Sequence, residues 1–260
     1  MFLNPYEVEE ANISKRQLKL LNALQLKKFR KQHQSFIVEG EKSVVETLKS
    51  TYQIQEVFCT PYFADKYASL LTKIPDTWIV PENDLKKASY FQTNNSSLAV
   101  VTLPSQTAPP TLKTNEYALV LDGIQDPGNL GTIIRIADWY SIEQILCSTD
   151  TVDLYNPKVI AACMGSFLRV NTYYLDLNTH FTDSQVPLYG AFLDGHNLHE
   201  WSFPKRSGYI VLGNESKGIR EGLHSIIAEK ITIPRFGQAE SLNVAMATAV
   251  ICDHVKRSIS

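Results

Sequence analysis

The chain has 260 residues, of which 44% are hydrophobic and 20% charged, and its formal net charge is −2. Those values suit one large or two smaller soluble domains with a proper core, and the net charge does not advertise a polyanion partner. The average hides an asymmetry: residues 1–104 hold 13 Lys/Arg against 11 Asp/Glu, and the rest hold 12 against 16. Cys59, Cys147, Cys163 and Cys252 lie far apart with no C-x-x-C pair, which argues against a disulfide framework or zinc site and for a cytoplasmic protein. The opening "MFLNPYEVEE" lacks the basic start and apolar core of a signal peptide, and no apolar run reaches the ~18 residues of a membrane span.

From Ser14 to Lys31, Leu18, Leu21 and Leu24 mark one face of a helix. Lys15, Arg16, Lys19, Lys27, Lys28, Arg30 and Lys31, with no acid among them, predict a basic outer face. "FIVEG" reads as a strand, "EKSVVETLKS" as a helix, "IQEVFCT" as a strand and "PYFADKYASLLTK" as a helix. "TWIV" and "LAVVTLP" are strands on either side of the Pro-opened helix "PENDLKKAS". This alternation predicts a small α/β domain over 1–104. The Pro- and Thr-rich stretch at 105–116 reads as a linker.

A second alternating series fills 117–260. Its strands are "YALVLDGI", "QILCST", "VNTYYLD", "PLYGAFLD", "GYIVLGNE" and "ITIPR", with helices around 130–140, 156–166, 178–185, 219–228 and 242–257. Several strands are continuous apolar runs, as buried parallel strands are, so a mostly parallel sheet with helices on both faces is expected. In such sheets ligands sit beyond the carboxyl ends of the strands.

Three strand-end loops are therefore informative. "LDGIQDPGNLGTIIRIADWY" turns from strand to helix through Gly128 and Gly131 but does not fit G-x-G-x-x-G. "VLGNESKGIR" has the glycine spacing of a phosphate loop, yet Ile219 and Arg220 stand where Lys and Ser/Thr are required. In "IPRFGQAESLNVAMATAV" a helix is expected to open near Ser241, a good N-cap, which leaves Asn243 as a mediocre residue inside it. His196 and His199 have i, i+3 spacing but no further ligands nearby, so loop histidines are preferred to a metal site.

Together, in this order, the Asn-x5-Arg, Gly-Asn-Glu and Ser-Leu-Asn motifs resemble the signatures of the SpoU/TrmH branch of the SPOUT RNA 2′-O-ribose methyltransferases. The resemblance covers about Tyr117 to Lys256, including "NPKVIAACMGSFLRV". The first domain more loosely resembles the ribosomal-protein-like RNA-binding domain that many members carry. What the resemblance implies is an α/β SPOUT domain with a deep trefoil knot, usually homodimeric, that uses S-adenosyl-L-methionine. Gly213, Ile233 and Leu242, with Leu193 at the end of its strand, are then the cofactor positions. Asn129, Arg135, Glu215, Ser241 and Asn243 are the polar active-site positions, and Arg135 of one subunit can serve its partner's site. The family commonly has Met after Ile-Pro, whereas this chain has Arg235.

A guanidinium is effectively always charged, so Arg135 is expected to clamp a phosphate and orient the hydroxyl, with Glu215 and Ser241 on the proton path. The expected substrate is structured RNA, ribosomal in preference to transfer RNA. An inactive RNA-binding member of the fold is the rival reading, but it should lack Asn129, Arg135, Glu215 or Asn243, and all four are present.

Overall fold

A computed structural model describes residues 12–105 and 107–260. The N-terminal decapeptide weighed above as a signal peptide lies outside them. The chain forms two compact units: one takes everything up to Ser105 together with Tyr155–Leu168, and the other takes Gln106–Leu154 and Arg169–Ser260.

In the first unit the basic stretch is two helices, α1 (Lys15–Leu24) and α2 (Lys27–His33), not one. Ser14 and Gln17 form a reciprocal capping box that starts α1. Leu26 is extended and breaks the helix. Arg30, which is only 3% exposed, holds the break. Its guanidinium donates to the carbonyls of Leu24 (3.0 Å) and Gln25 (2.8 Å), which the break leaves without helical partners. Arg30 is therefore a structural pin and not part of the basic outer face. Lys15, Arg16, Lys19, Lys27, Lys28 and Lys31 are exposed.

The chain continues through β1 (Ser35–Glu39), α3 (Glu41–Leu48), β2 (Ile54–Cys59), α4 (Pro61–Lys66), α5 (Ala68–Leu71), β3 (Asp76–Ile79), α6 (Glu82–Ala88) and β4 (Ser97–Thr102). The helix expected over 61–73 is thus two short ones, interrupted at the non-helical Tyr67. The sheet order is β1-β4-β2-β3, antiparallel except for β2 and β3. Leu21 and Leu24 of α1 and Leu85 and Ala88 of α6 close a core over Ile37, Phe58, Leu98 and Val100.

The second unit begins with β5 (Tyr117–Asp122), α7 (Pro127–Trp139) and β6 (Gln144–Ser148). The next helix, α8 (Pro157–Cys163), lies in the segment that joins the first unit, where Tyr155 and Phe167 flank the Phe36 ring. The second unit then resumes with β7 (Asn171–Leu175), α9 (Leu177–Phe181), β8 (Leu188–Asn197), β9 (Gly208–Gly213), α10 (Glu221–His224), β10 (Ile227–Thr232) and α11 (Val244–Ile259). All five strand pairings are parallel, in the order β10-β8-β9-β5-β6-β7. The chain leaves β5 outward through β6 and β7, then returns to its other side, so β5 and β9 flank the switch point where such sheets bind ligands. On one face Ala118, Val120, Leu146 and Val211 pack with Leu177, Phe181 and Leu223 of α9 and α10. On the other, α7 and α11 lie against each other.

Three further expectations need correction. The helix predicted at 219–228 is a single turn at 221–224, because "IAEKIT" pairs alongside β8 and starts β10 four residues earlier than "ITIPR" implied. Leu193 does not end its strand. It lies inside β8, in an arc that breaks register between Gly190, opposite Lys230, and His196, opposite Ile231. Pairing resumes only because residue 195 is glycine: a Cβ there would sit 2.6 Å from the Lys230 carbonyl oxygen. The third concerns Ser241 and is described with the site. No helix among the described residues is long and apolar enough to cross a membrane.

Candidate active site at the carboxyl ends of the strands

The loop after β5 opens α7 with Asp126 as its N-cap and Pro127 in the first turn, where its missing N–H is harmless. Asp126 accepts from the backbone N–H of Asn129 at 2.8 Å. The Asn129 side chain is thereby left to face sideways. Its Nδ2 donates to Glu215 Oε1 at 2.8 Å, and its Oδ1 accepts from Asn243 Nδ2 at 2.9 Å. Three expected site residues from three separate loops thus form one hydrogen-bonded chain.

Asn243, not Ser241, is the N-cap of α11. Its Oδ1 accepts from the N–H groups of Ala245 (2.9 Å) and Met246 (3.3 Å). The physical reason is burial: Val244 and Ala245 are the first residues to pack inward, while Leu242 stays exposed, so the helix starts two residues later than expected. Asn243 is therefore not a poor interior helix residue but a favoured cap. The helix also fixes the polarity of the chain. Because the N–H groups of α11 must donate to an oxygen, the Asn243 nitrogen faces Asn129, and the Asn129 nitrogen faces Glu215.

Glu215 sits in a tight loop after β9. Asn214 and Gly218 exchange backbone hydrogen bonds across it, at 3.0 and 2.9 Å. A Cβ on Gly213 would lie 2.2 Å from the backbone of Gly218 and Ile219, so no other residue fits there. Asn214 Oδ1 accepts from the N–H groups of Ser216 and Lys217, and its Nδ2 donates to the Gly123 carbonyl at 2.7 Å. At the far end of the loop, Arg220 donates to Asp122 from its backbone N (2.8 Å), its Nε (2.6 Å) and its Nη2. The Asp122 side chain is fully buried. Nη2 also reaches Asp150 at 3.2 Å. The Ser148 hydroxyl, and beyond it the Arg220 charge, hold the Asp150 carboxyl below its ordinary value.

Sequence reasoning passed over Asp122, Asn214 and Arg220. One signal was present: "YALVLD" is an apolar strand ending in a carboxylate, and a buried carboxylate requires a partner.

The remaining expected residues are not tied to the Glu215–Asn129–Asn243 chain. Arg135 is exposed on α7, and Ser241 is exposed in the loop before α11. Neither side chain makes a hydrogen bond or ion pair among the described residues. Gly213 and Ile233 are half-buried, Leu242 is exposed, and Leu193 is 78% exposed. Arg235 reaches only across its own loop, to the Ala239 carbonyl at 3.4 Å. Between Ile233 and Leu242 no backbone group enters a backbone–backbone hydrogen bond among the described residues. The preceding Thr232 hydroxyl is buried without a partner. Apart from the Ala239 carbonyl, the backbone groups of this loop are open to the polar groups of a ligand. His196 and His199 have separate neighbours: His196 contacts Glu229 at 3.1 Å and stacks on Trp201, whereas His199 lies beside Phe236.

Residues 116–253 match the SpoU rRNA Methylase family, and residues 15–99 match the MRM3-like substrate binding domain. The 23S rRNA (guanosine(2553)-2′-O)-methyltransferase RlmP of Bacillus subtilis is 28% identical over 236 residues, covering 90% of this chain and 93% of that protein. A solved TrmH-family chain from Porphyromonas gingivalis is 36% identical, with a TM-score of 0.81 over 95% of this chain and 99% of its own. An AdoMet-bound rRNA methyltransferase from Sinorhizobium meliloti, 23% identical, shares the fold with a TM-score of 0.86 over 97% and 98% of the two chains. With more than half its length matched, this chain belongs to the SpoU rRNA Methylase family.

Proposed function

We propose that the chain transfers a methyl group from S-adenosyl-L-methionine to a ribose 2′-hydroxyl in ribosomal RNA. The observation that carries the reading is the hydrogen-bonded chain Glu215–Asn129–Asn243 at the switch point of a SpoU-family domain. The relative in Bacillus subtilis acts on 23S rRNA, which favours ribosomal over transfer RNA.

Bound S-adenosyl-L-methionine supplies an electrophilic sulfonium methyl. Gly213, Ile233 and Leu242 would hold it largely through backbone groups, with Leu193 lining the same site. Asn243 donates a hydrogen bond to Asn129, and Asn129 in turn donates one to Glu215. That donation orients the Glu215 carboxylate and leaves its other lone pairs facing the site. Glu215 then accepts the hydroxyl proton as the oxygen attacks, with Ser241 as a relay. Arg135 holds the adjacent phosphate and so aligns the hydroxyl.

Residues 1–104 bind the RNA, 105–116 link, and 117–260 carry the chemistry. The six exposed cations of α1 and α2 suit phosphate contacts to structured RNA. The protein is a homodimer, in which α7 and α11 offer the exposed apolar residues Trp139, Met246 and Val250 to a second copy. The segment after β10 threads a trefoil knot. Its buried thiols suit the reducing cytoplasm.

The test is 2′-O-methyl mapping of total RNA from cells with and without the gene, paired with methyl transfer to ribosomal RNA by the purified protein. One position should vanish and be restored in vitro. An unchanged map, with no transfer, refutes the reading.

A further inference from the structure

The loop that carries Glu215 stands on two feet, and both rest on the end of β5. One is the Asn214 Nδ2 bond to the Gly123 carbonyl. The other is Arg220, whose backbone N and guanidinium both close on Asp122. The loop that carries Asn129 leaves from the same two residues, Asp122 and Gly123. The end of β5 is itself braced from β6: Gly123 N donates to Ser148 Oγ at 2.8 Å, and Thr151 Oγ1 donates to the Leu121 carbonyl at 3.3 Å. Glu215 and Asn129 are therefore both referenced to one rigid point.

An ion pair with one buried partner is weak evidence for stability, because desolvation offsets much of the attraction. Geometry is the better explanation. We propose that Asp122 and Arg220 are positioning residues for methyl transfer, locking the 213–220 loop so that the Glu215 carboxylate meets Asn129. The pair touches neither Asn129 nor Asn243, so it acts through the loop. This inference rests on the proposed methyltransferase reading.

The test uses Arg220→Gln and, to avoid an unpaired buried carboxylate, the double variant Asp122→Asn/Arg220→Gln. Each is assayed in the full chain, with competent sites counted by S-adenosyl-L-methionine titration. Displacing a reacting group by about 1 Å can cost about 100-fold, so kcat per competent site should fall on the order of 10- to 100-fold. The KM for RNA should stay near that of the unaltered protein. The discriminating arm is a cycle with Glu215→Gln. If the clamp acts through Glu215, Arg220→Gln should lower kcat by no more than about twofold in that background, the scatter expected of independent sites. Full multiplication of the two losses, or unchanged kcat per site, overturns the proposal.

Amide hydrogen exchange supplies a readout independent of turnover. Exchange at residues 214–219 should rise in Arg220→Gln while exchange in β9 holds, and unchanged exchange in the loop also overturns the clamp. If the unaltered protein transfers no methyl group to RNA, the reading of the site has failed. The exchange result then still decides whether the clamp exists.

Discussion

Asn243 uses the two ends of one amide for two purposes: its oxygen caps α11, and its nitrogen donates to Asn129 Oδ1 at 2.9 Å. These roles separate by substitution. Asn243→Asp keeps an acceptor for Ala245 and Met246 and so keeps the cap, but it presents a second acceptor to Asn129. Melting temperature should hold while kcat falls by about tenfold, as when the Asn129 oxygen loses its donor at a cost of ~1–3 kcal/mol. Asn243→Ala should lose both, with about 1 kcal/mol of stability gone with the cap. An active Asn243→Asp protein refutes the role of the polar chain.

Arg135 is exposed and without a hydrogen-bond partner among the described residues, so its removal should leave the melting temperature unchanged. A phosphate clamp depends on a planar fork, which Lys lacks. Arg135→Lys should therefore raise the KM for RNA and lower kcat, with cofactor affinity intact. Near-normal turnover by Arg135→Lys, measured at saturating cofactor, removes the clamp from the mechanism.

The two classes of cation on α1 and α2 predict opposite phenotypes. Arg30→Ala frees the carbonyls of Leu24 and Gln25 and should cost roughly 1–3 kcal/mol in thermal unfolding, as for buried groups left unpaired. Lys28→Ala and Lys31→Ala should be within ~0.5 kcal/mol of neutral. Each should instead lower the salt dependence of RNA binding by about one unit of slope. RNA affinity that ignores both lysines would place the RNA elsewhere.

Asp150 sets an acid limb. Its carboxyl is held low mainly by the Ser148 hydroxyl, so folding binds it more firmly ionised than the unfolded chain does. That contribution is whole above the unfolded value, about 3.9, and drains away as pH falls through the lower folded value. Asp150→Asn should thus flatten the fall of melting temperature below about pH 4 and lower stability near neutrality. An unaltered acid limb in the variant removes Asp150 from the balance.

What the sequence disclosed follows the range of the interactions. "YALVLD" and "GYIVLG" are buried on both faces, so their continuous apolar runs announce parallel strands without tertiary information. Asp126-Pro127 is an equally local start signal for α7, yet the helix was expected only from about residue 130, three residues late. The failures are places where a distant partner decides. Ser241 and Asn243 are both good caps, and only the inward packing of Val244 and Ala245 chooses between them. The break at Leu26 depends on Arg30 folding back on it. Arg220 looked like a failed phosphate-loop residue because Asp122, its partner, lies 98 positions away.

The proposed dimer makes a prediction that no monomeric site can imitate. Trp139 is 83% exposed and Met246 54%, on the two helices that pack together in the second unit. Met246→Lys should shift sedimentation from dimer to monomer. If Arg135 of one subunit serves the other's Asn243, mixing inactive Arg135→Ala and Asn243→Asp proteins should restore activity. In each mixed dimer one site would hold both native residues and the other neither. With random exchange, half the dimers are mixed and half their sites are whole, so activity should return to about one quarter of the unaltered level. If both residues act within one subunit, every site in the mixture lacks one of them, and activity stays at the level of the separate variants.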